Sequence, residues 1–286
     1  MVVGADGGLA GSIGGGVMEV SLVELAKGKS KKAKGKNGSD VLDQVHRKKS
    51  PNASGMICSG KQTVIFRQLD ADDLVAVEAI ITALKTRELA YLTITPNQFS
   101  VGPPKGGTQN DYLFEKLSNT DFVYKEKLGA KNNLYIVGGG HCALALSELM
   151  SKMDFHIRIF DDRPELNTLE KNRFADEITI IDTYEKIGDH ISSGPNVYVV
   201  VMTLGYASDD VVIRQMIGHD LKYFGVLGSK AKMKTLMGSL EKDGIAKSQL
   251  ARIHTPAGLP INSHSPEEIA VSIAAEIIAI KNTSLC

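Results

Sequence analysis

A glycine-rich turn set between two apolar runs constrains this chain more than any other feature. Leu134-Tyr-Ile-Val137 leads directly into Gly138-Gly-Gly-His-Cys-Ala143. Leu144, Leu146 and Leu149 then supply apolar positions of a helix, and Ile157-Arg-Ile-Phe160 ends in Asp161-Asp162. Strand, glycine turn, helix, strand and acid form the opening unit of a doubly wound α/β sheet. Residues 178–181, 197–202 and 223–227 are further apolar runs with little alternation, as parallel strands covered on both faces require. Gly218 and Gly244 are placed to end two of the intervening helices. Near the C-terminus, Ser265 caps a helix, Pro266 suits its first position and Glu268 completes a capping box. Residues 269–280 are apolar on most faces, which predicts a largely buried helix.

The first half reads as a mixed α/β region. Gly14-Gly15-Gly16 precedes a helical stretch over residues 17–26. Strands are expected at 64–69, 90–95 and 122–124, and a helix at 72–88, with Leu74, Val77, Ile81 and Leu84 near one face. The boundary between halves falls near residues 129–133. That gives an N-terminal domain over 1–130 and a C-terminal domain over 131–286, in keeping with a length of 286 residues. Residues 27–36 hold six lysines, and residues 1–50 hold nine basic and five acidic side chains. Such a Lys/Gly/Ser segment could dock an acidic partner or a phosphate-rich ligand. The favoured reading is a solvated loop, because it has too little apolar surface to order itself.

Composition removes several classes. Lys+Arg and Asp+Glu are both 33, so the formal charge is zero, without the basic excess of a nucleic-acid or membrane-surface protein. The three cysteines, Cys58, Cys142 and Cys286, form no CxxC pair, so neither a disulfide framework nor a zinc ribbon is expected. No apolar run is long enough to cross a bilayer. The N-terminus lacks a basic segment followed by an apolar one, so the expected location is a reducing cytoplasm.

The chemistry lies in the glycine turns. Gly138-x-Gly140-x-x-Ala143 fits the dinucleotide fingerprint: a tight turn, a close approach for pyrophosphate, and a small residue where helix packs on strand. Free N–H groups at the helix start would face the phosphate. Asp161 is spaced to meet a ribose 2′-hydroxyl, which among nicotinamides favours NAD over NADP. His141 and Cys142 share the loop. A thiol there has either thiolate character from the helix start or, as the favoured reading, a plain packing role. Gly14-Gly15-Gly16 is a second anion cradle, with Glu19 in the first turn of its helix acting on the helix dipole or accepting hydrogen bonds from a ligand amide or pterin-like ring. Gly228-Ser229 opens a third strand-to-helix turn, beside Lys230, Lys232 and Lys234, and Thr203-Leu-Gly-Tyr206 with Asp209 and Asp210 follows another strand. In an open α/β sheet, ligands gather outside the carboxyl ends of the strands, so the turns after Val137, Phe160, Met202 and Leu227 are expected to line one crevice. Cys58, in a turn before a strand, reads equally as a ligand-contacting thiol or an inert residue. No HExxH, GxSxG, Walker A or paired-carboxylate signature is present, so the sequence specifies no catalytic base or nucleophile, and no metal site.

Leu9-Ala-Gly-Ser-Ile-Gly-Gly-Gly-Val-Met-Glu19 resembles the GxIGGGxxE segment of the XdhC/CoxI family of xanthine dehydrogenase accessory proteins. Gly55-Met-Ile-Cys-Ser-Gly60 is similar to that family's methionine–cysteine–glycine turn, with Ser59 where glycine is usual. The Gly138–Ala143 loop, Asp161-Asp-Arg-Pro164, Asn172-Arg-Phe174, Gly228-Ser229, Arg252-Ile-His-Thr-Pro-Ala-Gly-Leu259 and Ser265-Pro-Glu-Glu-Ile-Ala-Val-Ser-Ile273 resemble its Rossmann-like second domain. The resemblance implies an N-terminal XdhC-type α/β domain followed by a Rossmann-like parallel-sheet domain. It also implies a cytoplasmic, dimeric, non-catalytic chaperone that binds molybdenum cofactor (molybdopterin). Such a chaperone protects the cofactor while a cysteine desulfurase helps to install the terminal sulfur, and inserts it into a molybdenum hydroxylase apoenzyme. The alternative from the residues alone is an NAD-dependent oxidoreductase using the second domain. The chain departs from the family in three places. A first strand and Gly-Ser-Ser-Pro-like loop usually precede the segment with which it begins, and without them a sheet edge and half a ligand site are expected to be incomplete. Thr203-Leu-Gly-Tyr206 replaces the common Thr-His-Gly-His, which leaves a metal or acid–base role there without its histidines. The lysine-rich segment after Ala26 has no family counterpart.

Overall fold

In the computed structural model the chain forms two compact units, Met1–Gly129 and Ala130–Cys286. The structure describes residues 1–14, 16–29, 39–46, 60–103, 111–118, 121–129 and 132–283.

The first unit is built from short antiparallel pieces. β1 (Val2–Val3) pairs with β2 (Leu9–Ala10), and α1 (Gly16–Lys29) follows. β3 (Ser39–His46) and β4 (Gly60–Arg67) pair antiparallel along their full length. α2 (Leu74–Thr86) then leads to β5 (Ala90–Ile94), β6 (Phe99–Gly102), β7 (Tyr112–Lys116) and β8 (Phe122–Leu128), an antiparallel sheet in the order β6-β5-β8-β7. Its core is small: Ala83, Leu92 and Leu128, with Ile80, Ala90, Ile94, Phe99 and Val101 against them. The inward face of α2 carries Ala76 and Ala83, whereas Leu74, Ile81 and Leu84 are exposed. Small inward residues let the helix lie close to the sheet, so the larger apolar stripe ends up outside. Arg67 is nearly buried and is held by Asp73 at 2.6 Å and Ser39 at 3.2 Å, with its guanidinium over the Phe99 ring. That buried, hydrogen-bonded pair pins β4 to the start of α2.

The second unit is a parallel sheet covered on both faces. Its elements are β9 (Asn132–Val137), α3 (His141–Met150), β10 (Phe155–Asp161), α4 (Asn167–Lys171), β11 (Glu177–Ile180), α5 (Ile187–His190), β12 (Gly194–Val201), α6 (Tyr206–Met216), β13 (Leu221–Val226), α7 (Lys230–Lys242), α8 (Lys247–Leu250) and α9 (Pro266–Asn282). The strand order is β11-β10-β9-β12-β13, all parallel. One face sets Tyr135, Val137, Val199, Val201 and Val226 against Val212 and Ile213 of α6 and Leu236 of α7. The other sets Leu134, Ile136, Ile157, Ile159 and Val200 against Leu146 of α3 and Ile273 and Ile277 of α9. Burial on both sides is why these strands read as continuous apolar runs, and each large aliphatic side chain removed from water contributes about 2 kcal/mol.

α9 starts as its sequence predicts. Ser265 Oγ accepts from the Glu268 amide at 3.2 Å, and the Glu268 carboxylate accepts from the amides of Ser265 and His264. Gly244 adopts φ +94 just beyond α7, a left-handed helix stop, whereas Gly218 has no positive φ. The sheet edges differ. Along the outer edge of β13, His254 donates to Phe224 O and accepts from Val226 N, and Ala257 donates to Val226 O, so the chain adds a short parallel ribbon of its own. No described strand lies beyond β11, where Ile178 and Ile180 are 38% and 44% exposed.

Candidate functional site

The direction of the chain reverses across the sheet at β9. From it the chain passes to β10 on one side, and β12 and β13 lie on the other. The loops after β9 and β12 therefore flank a crevice at the carboxyl edge, the place where open α/β sheets take their ligands.

The three glycines after β9 have different physical roles. Gly138 adopts φ +108, and a Cβ there would run into the Met202 carbonyl, so only glycine lets the ends of β9 and β12 meet so closely. A Cβ at Gly139 would meet the side chain of Leu169. Gly140, with φ −72, would place a Cβ in open space. Neither its conformation nor any described neighbour demands glycine at 140. Gly205, which starts α6 with φ −156, is the same.

These two glycines are also the N-caps of α3 and α6, and neither helix has a side-chain cap. The first N–H groups of a helix have no internal carbonyl to meet. At His141, Cys142 and Ala143, none donates to another described residue. By contrast, α7 is capped by Ser229, which accepts from the Lys232 amide at 3.2 Å, and α9 by Ser265. Thus the turn at Gly228-Ser229, singled out as a phosphate cradle, has one of its amides already engaged.

Asp161 is fully buried, and the chain itself occupies it. Oδ2 accepts from the Gly139 amide at 2.6 Å and from Arg163 Nη2 at 2.7 Å. Oδ1 accepts from the Arg163 amide at 2.9 Å and Nε at 2.8 Å. A carboxylate has about four acceptor positions, and all four are taken. Burial pushes the Asp161 carboxyl up, but the hydrogen bonds from Arg163 and the Gly139 amide outweigh it and hold its pKa below the ordinary carboxylate value. The residue expected to meet a ribose is instead a strut that ties the β9 and β10 loops together. Thr168 adds to this by donating to Gly139 O at 2.5 Å. Asp162, the next residue, is 41% exposed at its side chain and receives the Tyr184 hydroxyl at 3.3 Å.

Thr203, at the end of β12, donates to Asp209 at 2.6 Å, and Asp209, fully buried, also holds Lys232 of α7 at 2.6 Å. Lys232 therefore leans from the Gly228-Ser229 turn toward the start of α6. Leu204 is 83% exposed and Tyr206 is exposed beside it, on either side of Gly205.

His141 is exposed at the start of α3. Cys142 is half-buried against the α3/α9 core, and the thiolate reading is corrected there: burial, then the charge of Glu267, pushes its thiol pKa up. The helix start does not prevail over desolvation, which leaves the packing role.

Beside the other triple-glycine segment, the described residues bond to one another. Glu19 accepts from Ser12 Oγ at 2.6 Å and from the Ile13 amide at 2.9 Å, while Ile13 O accepts from Gln62 Nε2 of β4 at 2.9 Å. Gly14 has φ +126 and Gly16 begins α1. Gly15, Cys58 and most of the lysine-rich segment lie outside the described residues.

The structure thus brings Gly138, Gly140, His141, Cys142, Asp161, Thr203, Gly228 and Ser229 to one edge of one sheet. Gly14, Gly16 and Glu19 belong to the other unit. The sequence reading did not single out Arg163, Asp162, Thr168 or Gly205. The Asp161-Asp-Arg-Pro164 string carries the signal for the first two: an arginine two residues after an acid can fold back on it. Among the described residues, no group of three or more His, Cys, Asp or Glu could hold a metal ion, and no helix is long and apolar enough to cross a membrane.

Comparison with known proteins adds three findings. Residues 134–277 match a family profile described as the XdhC Rossmann domain. Two curated relatives are the uncharacterized protein YqeB of Escherichia coli, 26% identical over 158 residues, and a probable subunit of xanthine dehydrogenase from Bacillus subtilis, 27% identical over 213 residues. Those matches span 54% and 72% of this chain, but only 28% and 62% of the relatives' own lengths. Among solved structures, a protein described as a xanthine dehydrogenase from Bacillus halodurans aligns with a TM-score of 0.72 over 98% of this chain and 84% of that one, at 22% identity, a likeness of fold.

Proposed function

The chain belongs to the XdhC family, and from that premise we propose that it is an accessory protein of a xanthine dehydrogenase-type molybdenum hydroxylase. Its cargo is molybdenum cofactor, which it holds for sulfuration and for insertion into the apoenzyme. The name of the Bacillus subtilis relative supports the link to xanthine dehydrogenase. The observation that carries the reading is the pair of uncapped helix starts at Gly140 and Gly205, on either side of the crevice. A pterin cofactor bears phosphate, and amides with no partner at a helix start suit an anion.

Each residue then has a task. Gly138 holds the loop against the end of β12. Asp161 and Arg163 fix the loop from below, so its amides need no reorganisation to receive phosphate. Gly140 and Gly205 keep side chains out of the anion's path. Lys232 is paired with the buried Asp209, which also takes the Thr203 hydroxyl, so the two helices after β12 and β13 are tied at their starts. Protection and transfer of a cargo need no general base, and the chain supplies none of the familiar hydrolytic motifs. A cysteine desulfurase as sulfur donor and a second copy of the chain complete the proposed assembly. The preference for NAD over NADP rested on Asp161, whose acceptor positions are filled by Arg163 and the Gly139 amide.

Equilibrium binding of purified molybdenum cofactor tests the reading. The native chain should bind, and Gly140→Asp, whose carboxylate would cap α3 and repel phosphate, should bind at least about 10-fold more weakly, the equivalent of one lost charge-assisted hydrogen bond. No binding by the folded native chain, or equal binding by the variant, overturns it.

A further inference from the structure

α2 turns its small residues inward and its large ones out. Ala76 and Ala83 are buried, whereas Leu74, Val75, Ile81 and Leu84 are exposed by 46% to 77%. A surface helix normally shows the reverse, with its apolar stripe toward the core and its polar residues in water. At 3.6 residues per turn, Leu74 and Ile81 lie on the line opposite Ala76 and Ala83, with Val75 and Leu84 to either side. Two charges share that line. Glu78 and Lys85 are seven residues apart with Ile81 between them, both are exposed, and among the described residues neither has an ion-pair partner. At 1.5 Å per residue, each stands about 5 Å from the point between Ile81 and Thr82.

A charge that changes sign across a central apolar residue complements a copy of itself in one direction only. When two such helices run antiparallel, Glu78 of each faces the partner's Lys85 and the two Ile81 side chains meet. A parallel pair would set like charges against each other. We propose that α2 is the surface through which two copies of this chain pair, antiparallel about a two-fold axis beside Ile81. The same patch then serves on both sides, as a closed two-fold contact requires. Strip and charges together offer each copy on the order of 600 Å², which brings the pair to the lower bound of specific, stable interfaces. The inference deepens the reading above in one respect: it names the face that the second copy uses, and it rests on that copy, not on the cargo.

Sedimentation equilibrium of the full chain tests this, with near-UV circular dichroism to check that each variant is folded. The native chain should dimerise in the micromolar range. Glu78→Lys and Lys85→Glu each turn two attractive contacts into two repulsive ones, so either alone should raise the dimer dissociation constant at least about 10-fold. Mixed in equal amounts, the two variants should recover native pairing, because one strip is then wholly positive and the other wholly negative. Ile81→Asp, on the outer face, should keep the fold and leave only monomer. Dimers that survive Ile81→Asp and both charge reversals overturn the α2 assignment and leave a second copy bound elsewhere. Weakening that mixing does not rescue overturns the antiparallel arrangement. A native chain that stays monomeric up to about 100 μM removes the second copy altogether, whether or not the cofactor binds.

Discussion

Two triple-glycine turns lead into helices, one in each unit, and they differ in what becomes of their amides. In the first unit Glu19 folds back on its own loop, taking the Ser12 hydroxyl and the Ile13 amide. In the second, the acid comes from the next strand: Asp161 takes the amide of Gly139, together with Arg163, and the amides of His141, Cys142 and Ala143 meet no described acceptor. Glu19 ties residues before the glycines to its own helix, whereas Asp161 braces its glycine loop from a neighbouring strand. In the first segment the acid that ties the described residues thus lies on the helix itself, and in the second it lies on the strand alongside.

Substitutions at the two turns sharpen that contrast. The largest effect is expected at Gly138→Ala, where a positive φ combines with a clash against the Met202 carbonyl: a loss of about 4 kcal/mol in urea unfolding. Gly14→Ala has the positive φ but open space, so about 2 kcal/mol is expected. Equal losses would mean that the two turns are equally constrained.

Asp161→Asn should cost about 2 kcal/mol at neutral pH, because it removes hydrogen bonds to a charged, buried acceptor. Its pKa is lower folded than unfolded, where a value of about 3.9 applies. The stabilisation is therefore complete above about pH 4 and lost as pH falls through the depressed folded value. Urea midpoints of native and variant chains should converge on acidification, and a gap that stays constant below pH 4 would refute the strut. Glu19→Gln, at a partly exposed loop, should cost about 1 kcal/mol or less. Gly140→Asp should have the smallest effect on stability, a gain of a few tenths of a kcal/mol from capping α3, while phosphate-bearing cargo is lost. A destabilised variant would show that the space at 140 is already in use.

The second unit was the more legible in the sequence. Apart from the edge strand β11, its strands are buried on both faces and read as apolar runs, and all five were expected at their places with ends shifted by a few residues. In the first unit, Ser39–His46, Phe99–Gly102 and Tyr112–Lys116 were not anticipated. They are short or half-exposed antiparallel strands whose pattern is diluted by polar residues. The stripe Leu74, Ile81, Leu84 was visible, but not that two alanines would take the inner face. At the site, spacing pointed to Asp161 without revealing that Arg163 turns back onto it. The fingerprint also gives no means of separating a glycine required by φ, Gly138, from one whose side chain would meet only open space, Gly140. That difference lies in backbone angles and neighbours, which three identical letters do not encode.

The uneven borders of the parallel sheet bear on how the molecule would misassemble. One border is sealed by residues 253–257, while the other ends at β11 with Ile178 and Ile180 open to water. Of these two borders, the one at β11 has no described strand beyond it, so heat or mild denaturant that loosens this unit should produce clumping that begins there and grows with protein concentration. A lysine in place of Ile178 or Ile180 would blunt it without touching the turns after β9 and β12.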